Sequence, residues 1–587
     1  MTTSLDLFCE QSAEKPVASL REQNGETDGT EVAACLFREP FDAIVIGGGC
    51  NGTGTARDLA LRGVRVLLVE KSTWGAGTTG ASSGMIHGGL RYLEYDREVT
   101  RKSCLDSGYI QKIASHLLFR IPFIMPVLRT DPHPDRTLAL VETFFEAYDK
   151  FQPLKNGKPH TRLSRDEVLA LEPGLTADVY GAVTMDEWGI DPFRLCVANA
   201  ISAMESGAVV RNHTEVTGFI VEAGRVVGVR LEDTIDHRIG EARARVVVNT
   251  TGPWGMRTAA LARTGAERAV RMRPGKGIHL VLDRRLSDYA VLATTLDARA
   301  VFVMPHENSS TIGTTDDDFF GSPDRIDVLE DEVEYLLEAV GRVFPSASGA
   351  RITYAFAGLR PTIFEFRKIE DKLTRDHRIV DHEVAGGPAG LVSMIGGKLA
   401  AYRLMSEELA DLVAEKIGVA APCRTAELPL PGGEREIDVD ALVAGRTIPL
   451  AAAGRAVYRH GTRVADVLGA AASESRVGIV ACACEGVLEA EVRYGCRKEG
   501  VRTLPDLARH TRLGLGACQG ARCAARAADV LEEEGALVGA PSSSAALREF
   551  FVWRWREMSA VLAGAQLAEA ELWRWIGAAS TRGDNES

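Results

Sequence analysis

The sequence predicts an α/β protein that ends in a small α-helical domain rich in cysteine. Three observations predict it. An apolar strand runs directly into a glycine-rich turn and a helix at residues 44–52, short β-type runs then alternate with longer helical stretches to about residue 405, and five of the eleven cysteines crowd between 482 and 523.

Size and charge bound the rest. With 587 residues, 45% of them hydrophobic and 25% charged, the chain can bury several cores. A net charge of −13 argues against nucleic acid as a partner, because phosphate-backbone binders concentrate Lys and Arg on one face. No apolar run reaches the roughly 20 residues that cross a bilayer, and Met1 to Asp6 lack a basic segment followed by an apolar one. The expected location is therefore cytoplasmic, with any membrane association peripheral. Cys9, Cys35, Cys50, Cys104, Cys196 and Cys423 are scattered, unlike a secreted disulfide framework, so reduced thiols are expected.

Residues 1–40 are polar and aperiodic and read as a flexible tail. The main domain spans 41–405, with its clearest strands at Ala43–Ile46, Val64–Val69 and Ala244–Val248. A helical connector covers 406–475, where Pro422, Pro429, Pro431, Gly432 and Gly433 break the pattern. The cysteine module spans 476–537, Ala540 to Ser544 is a linker, and 545–578 reads as helix.

Ile44 to Gly52 is a strand followed by GxGxxG. Gly47 permits the tight turn, Gly49 lets the backbone approach a pyrophosphate, and Gly52 lets the helix pack on the strand. The helix N-terminus offers unpaired N–H groups to phosphates. The second strand ends in Glu70, placed to accept hydrogen bonds from ribose hydroxyls. Strand, turn, helix and acid together make a Rossmann-like dinucleotide site.

Two further stretches choose between dinucleotides. Gly77 to Gly89 is dominated by small and hydroxyl residues, with Thr78, Thr79 and Ser83 as donors and His87 and Gly88 beside a large planar ring. Thr251–Gly252 follows a third strand, and Gly396–Gly397 a fourth segment. Glycine-bearing elements spread so widely suit an extended FAD better than a compact NAD. The main domain is thus expected to be an FAD-binding Rossmann-like domain interleaved with an α+β substrate domain.

Five ordered motifs carry a resemblance: Gly47–Gly52, Ile86–Leu93, Ile312–Asp316, Ala357–Pro361 and Gly396–Leu399. Residues 41 to about 410 resemble the FAD-dependent glycerol-3-phosphate dehydrogenases. The resemblance implies that Arg360, Arg375 and Lys398 lie near an anionic substrate, glycerol 3-phosphate, with Arg91, Tyr92 and His279. Their chemistry fits: arginine forks bind phosphate oxygens in pairs, and an acidic protein needs a local cationic pocket to draw an anion in. His279 is the expected base, since a histidine titrates near working pH. Taken singly, each arginine reads as a solvated surface residue, and His279 as a satisfied structural one.

Cys482-x-Cys484 precedes Cys518-xxxx-Cys523 by 33 residues. Four thiolates in two close pairs are a metal-site signature, and helices are expected at 485–497, 503–513 and 521–534. The layout resembles the [2Fe-2S] domain of bacterioferritin-associated ferredoxins, and the domain order that of the A subunits of anaerobic glycerol-3-phosphate dehydrogenases. Zinc is the alternative metal, because thiolates alone do not distinguish the two, and Cys496 is read as a bystander. His87 to Leu93, by contrast, resembles the single-subunit aerobic enzymes.

The resemblance implies oxidation of sn-glycerol 3-phosphate to dihydroxyacetone phosphate, with electrons leaving through the cluster to partner subunits and a quinone, in a heteromeric complex on the inner face of the cell membrane. Two rivals stand: an FAD-dependent amino-acid or 2-hydroxy-acid dehydrogenase of the same fold, and a non-enzymatic subunit. The tryptophans 553, 555, 573 and 575 are read as packing on the chain itself, against a partner or membrane-surface helix.

Overall fold

The computed structural model describes residues 39–579 apart from 95, 296, 298, 307, 369–372 and 538–541. The expected N-terminal tail lies, but for residues 39 and 40, outside the described residues.

Phe41–Ile46 lies parallel between Val66–Val69 and Ile239–Asn249, with Phe41 and Ala43 to Ile46 buried. A parallel strand covered on both faces demands such a continuous apolar run. Ile239–Asn249 shows two regimes in one strand. Exposed Arg243 and Arg245 alternate with buried Ala242 and Ala244, and then Val246 to Asn249 are buried without a break against Phe41–Ile46. Leu391–Gly396 adds a further parallel strand beside it. Because these strands run the same way, residues 47–52, 70, 250–252 and 397–398 all emerge at one edge of the sheet, where ligands of open α/β sheets bind.

The second sheet is built round Gly275–Leu282, antiparallel to both Ser309–Gly313 and Ile352–Arg360. The two-residue period splits that strand. Ile278, Leu280 and Leu282 pack in one core with Leu336, Ala339 and Val343 of helix Glu330–Val343. Gly277, His279 and Val281 take the other face.

Helix Tyr402–Ile417 carries Leu409, Ala410 and Val413 back into the first core, and the connector beyond it has its own core around Ala453, Ala456, Val467 and Leu488. The cysteine module follows, with a small hairpin at Val480–Leu488 and helices Glu489–Lys498, Leu504–Thr511 and Ala524–Glu533. Buried ion pairs fasten it to the first domain: Arg194–Glu499 at 2.8 Å, His213–Asp506 at 2.8 Å and Arg502–Asp233 at 2.7 Å. Each buried carboxylate there meets a nitrogen donor, as burial requires.

Helix Ser543–Met558 starts inside the stretch expected as linker. Ser542 makes the start, its Oγ accepting from the Ala545 N–H at 3.4 Å. The helix gives Ala546, Phe550 and Phe551 to the module's core, and Met558 to a patch with Val281 and Tyr354 of the second sheet. Trp553 and Trp573 pack on the module and Trp555 on that patch, whereas Trp575 is exposed. Among the described residues no helix is long and apolar enough to cross a membrane.

Candidate active site and cysteine cluster

The glycine turn is fixed by its own backbone. Gly47 has φ +110°, and a Cβ there would stand 2.8 Å from the Thr250 carbonyl oxygen; a Cβ at Gly52 would stand 1.8 Å from that of Gly47. Only glycine lets the helix Cys50–Leu61 begin this close to the strand end. At Gly49 a Cβ would meet only Thr79 Oγ1, at 3.1 Å, and at Gly252 only Thr78 Oγ1, at 4.0 Å. These two glycines border space that a side chain would fill, as a pyrophosphate cradle requires. Glu70 accepts from the Gly48 N–H at 2.6 Å and the Ser72 N–H at 2.9 Å, which leaves lone pairs for ribose hydroxyls. Burial pushes its carboxyl above the usual range, against the pull of those two N–H groups.

The hydroxyl loop is tied to both sheets. Thr79 Oγ1 accepts from the Cys50 N–H at 3.1 Å, Thr78 donates to the Leu359 carbonyl at 2.6 Å, and Ser83 Oγ meets His279 Nε2 at 2.8 Å. Thr251 donates instead to Asn249 within its own turn, at 2.7 Å. The last glycines prove to be required by packing: a Cβ at Gly396 would lie 2.5 Å from the Asp376 carbonyl oxygen, and one at Gly397 2.2 Å from Met405 Cε.

His279 is buried, and its ring stacks on Phe356 with centroids 4.8 Å apart and planes 10° apart. Gly313, its cross-strand partner, has no side chain because one would strike the imidazole. Contrary to the sequence expectation, His279 does not titrate near working pH: burial, helped by the charge of Arg360, pushes the ring's pKa down to about 3, so the imidazole is neutral there. Its Nδ1 has no hydrogen-bond partner among the described residues.

Cations gather beside it. Arg360 donates to Asp316 Oδ1 at 2.9 Å and to the Thr315 carbonyl at 3.0 Å; Arg375 donates to Asp316 Oδ2 at 2.7 Å. Lys398 sits 4.5 Å over the Tyr92 ring and reaches the Gly88 carbonyl at 3.4 Å. Burial pushes the Lys398 ammonium down to about 7, with Cys104 and Glu187 opposing and Arg375 reinforcing the fall. Gly88 is backed by Cys104 and the Tyr148 hydroxyl, each 2.3 Å from where its Cβ would be, and His87 is half-buried in the same loop. The side chain of Arg91 lies outside the described residues. Asp316 joins the site without having been expected there, although the motif Ile312–Asp316 ends on it.

Four thiols converge in the module. Cys523 lies within thiol hydrogen-bond reach of Cys482 and Cys518, and Cys518 within that of Cys484. Sharing protons with Cys523 pulls the Cys518 thiol down to about 5 and the Cys482 thiol to about 7, while Cys523 rises. Backbone N–H groups of Gly514 and Glu485 point at Cys482, and those of Gly520 and Arg522 at Cys518. Burial pushes Cys496, on the neighbouring helix, up to about 12. Among the described residues no group of three or more His, Cys, Asp or Glu side chains is arranged to hold a metal ion; the thiol contacts run between 482 and 523, 523 and 518, and 518 and 484, with Cys482 also acting on Cys484 through its charge.

One side chain links the two regions. Arg554, fully buried, pairs with Glu557, donates to Gln519 beside Cys518, and lies 4.7 Å over the ring of Tyr354. Tyr354 neighbours Phe356 at 6.4 Å, and Phe356 stacks on His279.

Residues 42–403 match the family model described as FAD dependent oxidoreductase, and 423–536 that of the C-terminal domain of alpha-glycerophosphate oxidase. The A subunit of the anaerobic glycerol-3-phosphate dehydrogenase of Escherichia coli (strain K12) is 34% identical over 538 residues, covering 91% of this chain and 96% of that protein. The A1 subunit of the anaerobic glycerol-3-phosphate dehydrogenase of Haloferax volcanii is 33% identical over 563 residues, 92% of this chain and 91% of its own. Glycerol-3-phosphate dehydrogenase of Mycobacterium leprae is 33% identical over 515 residues, with 84% of each chain covered. The same fold is seen in the glycerol-3-phosphate dehydrogenase of Bacillus halodurans complexed with FAD, at TM-score 0.68 and 24% identity, covering 90% of this chain and 97% of that one.

Proposed function

The chain belongs to the FAD-dependent glycerol-3-phosphate dehydrogenases, and on that premise we propose that it oxidises sn-glycerol 3-phosphate to dihydroxyacetone phosphate and passes the electrons through a [2Fe-2S] centre towards a quinone. The observation that carries the oxidation is a neutral, buried His279, held by Ser83 and Phe356 within the field of Arg360 and beside the cations that Asp316 gathers.

When bound, FAD supplies the hydride acceptor and the iron–sulfur centre a one-electron carrier. The chain does the rest. Gly47 to Gly52 and Glu70 would hold the dinucleotide, and the hydroxyl loop that follows Glu70 ties this turn to His279 through Thr79 and Ser83. Arg360, Arg375 and Lys398 bind the phosphomonoester, which fixes the secondary alcohol beside the imidazole. His279 takes the hydroxyl proton as hydride leaves carbon, and its burial keeps it unprotonated beforehand.

Cys482, Cys484, Cys518 and Cys523 would hold the cluster. Four thiols in mutual contact, with N–H groups aimed at the sulfurs, supply the cysteine set that a two-iron group takes, and zinc is the alternative metal. An iron–sulfur relay calls for partner subunits at the inner face of the cell membrane, where a quinone resides, with this chain on the cytoplasmic side.

The test is anaerobic. Glycerol 3-phosphate should bleach the flavin, whereas amino acids and 2-hydroxy acids should not, and low-temperature electron paramagnetic resonance should then show a reduced two-iron signal. Bleaching by the acids alone would overturn the substrate, and zinc without iron or acid-labile sulfide would overturn the relay.

A further inference from the structure

Residues 316–318 are three consecutive aspartates, and each meets arginine. Asp317 reaches Arg299 at 3.4 Å with most of its side chain exposed, and Asp318 pairs with Arg273. Asp316 differs from both. It is buried, and its two oxygens go to two different guanidiniums, Oδ1 to Arg360 and Oδ2 to Arg375.

The fold leaves those arginines little freedom. Arg360 also reaches Thr314 Oγ1 at 3.2 Å and the Thr315 carbonyl, and a Cβ at Gly277 would lie 2.7 Å from its Nη2. Arg375 reaches Thr362 Oγ1 at 3.3 Å, while its buried Nε has no partner among the described residues. A buried guanidinium N–H left without an acceptor is costly, and an oxygen of a bound anion would relieve it. One guanidinium acts on the base, lowering the pKa of His279, and the other acts on Lys398. The carboxylate between them therefore ties the base side of the site to its ammonium side.

We infer that Asp316 is the positioning residue of the phosphate pocket: its one carboxylate holds Arg360 and Arg375 at a fixed spacing, so that both meet the same phosphomonoester. This rests on the reading of the site as one for glycerol 3-phosphate. The carboxylate also offsets one of the two guanidinium charges, which limits their mutual repulsion. Geometry and charge predict opposite outcomes when the carboxylate becomes an amide. Asp316→Asn adds net positive charge, which alone would tighten anion binding; it also turns one acceptor into a donor facing a guanidinium, which breaks the spacing.

The experiment uses the holoenzyme. Asp316→Asn should raise KM for glycerol 3-phosphate roughly 10- to 100-fold, the range seen when a group that orients a binding residue is lost, with kcat within about 3-fold, the pattern of lost uniform binding. Inorganic phosphate, titrated calorimetrically without turnover, should weaken in parallel, and Asp317→Asn should leave both unchanged. An unchanged or lower KM in Asp316→Asn, or an equal effect of Asp317→Asn, would overturn the assignment. Should Asp316→Asn fail to fold, Asp316→Glu keeps the charge and displaces the carboxylate, and a KM within 2-fold of the parent would overturn the assignment in its place. If the parent enzyme turns over no glycerol 3-phosphate yet binds phosphate through this pocket, the substrate reading fails and the positioning role stands.

Discussion

The two reactive regions solve opposite electrostatic problems. Around His279 the fold keeps the titratable groups neutral beside paired charges: burial strips the imidazole of its proton and drives Lys398 towards neutrality, while Arg360 and Arg375 are held close by on Asp316. In the cysteine module the fold collects charge, since thiols crowded together pull Cys518 and Cys482 towards thiolate. The first arrangement prepares a base and cations for an anion that comes and goes. The second prepares an anionic nest for a cationic group that stays.

The largest expected effect tests the first half of that contrast. His279→Ala should lower kcat by about 10²- to 10⁴-fold, the usual worth of a general base, while flavin content stays at the parent level. Loss of flavin with the activity would mean that the imidazole only supports the cofactor loop through Ser83. Next in size is the second half. Cys518→Ser should cut metal retention at least roughly 100-fold, because it removes a ligand outright where even an outer contact is worth 10 to 100. Flavin bleaching by substrate should survive, and an intact metal content would remove Cys518 from the ligand set.

The contrast also explains what the sequence made legible. Gly52 was readable because its constraint is local, the collision of a Cβ with the Gly47 carbonyl five residues back; Gly47 was readable through the same motif, although the backbone it must clear is that of Thr250 on a distant strand. The four cysteines were readable for the same reason, as two short spacings. Asp316 was not: its meaning depends on Arg360, at the end of a strand 44 residues onward, and Arg375, in the loop 59 residues onward. Gly396 and Gly397 were readable as glycines but not as packing requirements, since Asp376 and Met405 are the groups that demand them. Arg554 was legible only as part of Trp553–Trp555, a stretch that strengthens the resemblance, and not as a buried link, because a single arginine in a helix reads as solvated surface.

A smaller effect sharpens the comparison by pH. Lys398 has its pKa lowered to about 7, so its ammonium is lost as pH rises through that value, and kcat/KM should fall by about 10-fold, the worth of a charged hydrogen bond. Stability should move the other way. Between about pH 7 and the unfolded value of 10.5 the unfolded chain binds the extra proton, so this lysine favours the fold more as pH rises, by up to about 1.4 kcal/mol per unit. Lys398→Met should remove both trends, and a basic limb that persists in that variant would assign it elsewhere.

The smallest expected effect on chemistry comes from the residue that joins the regions. Arg554 holds Gln519 of the cysteine loop and faces Tyr354 on the strand that carries Phe356, so it is the place where the two electrostatic regimes meet mechanically. Arg554→Leu keeps the helix and its apolar packing but frees Gln519 and leaves Glu557 unpaired, for a loss of about 1–3 kcal/mol. If the regions are independent once folded, the rate of flavin bleaching should stay within about 2-fold while alkylation of the metal-free cysteines accelerates. A fall in bleaching rate alongside the faster alkylation would break the comparison: the base side would then owe its geometry to the cysteine side, through the row Gln519, Arg554, Tyr354, Phe356 and His279.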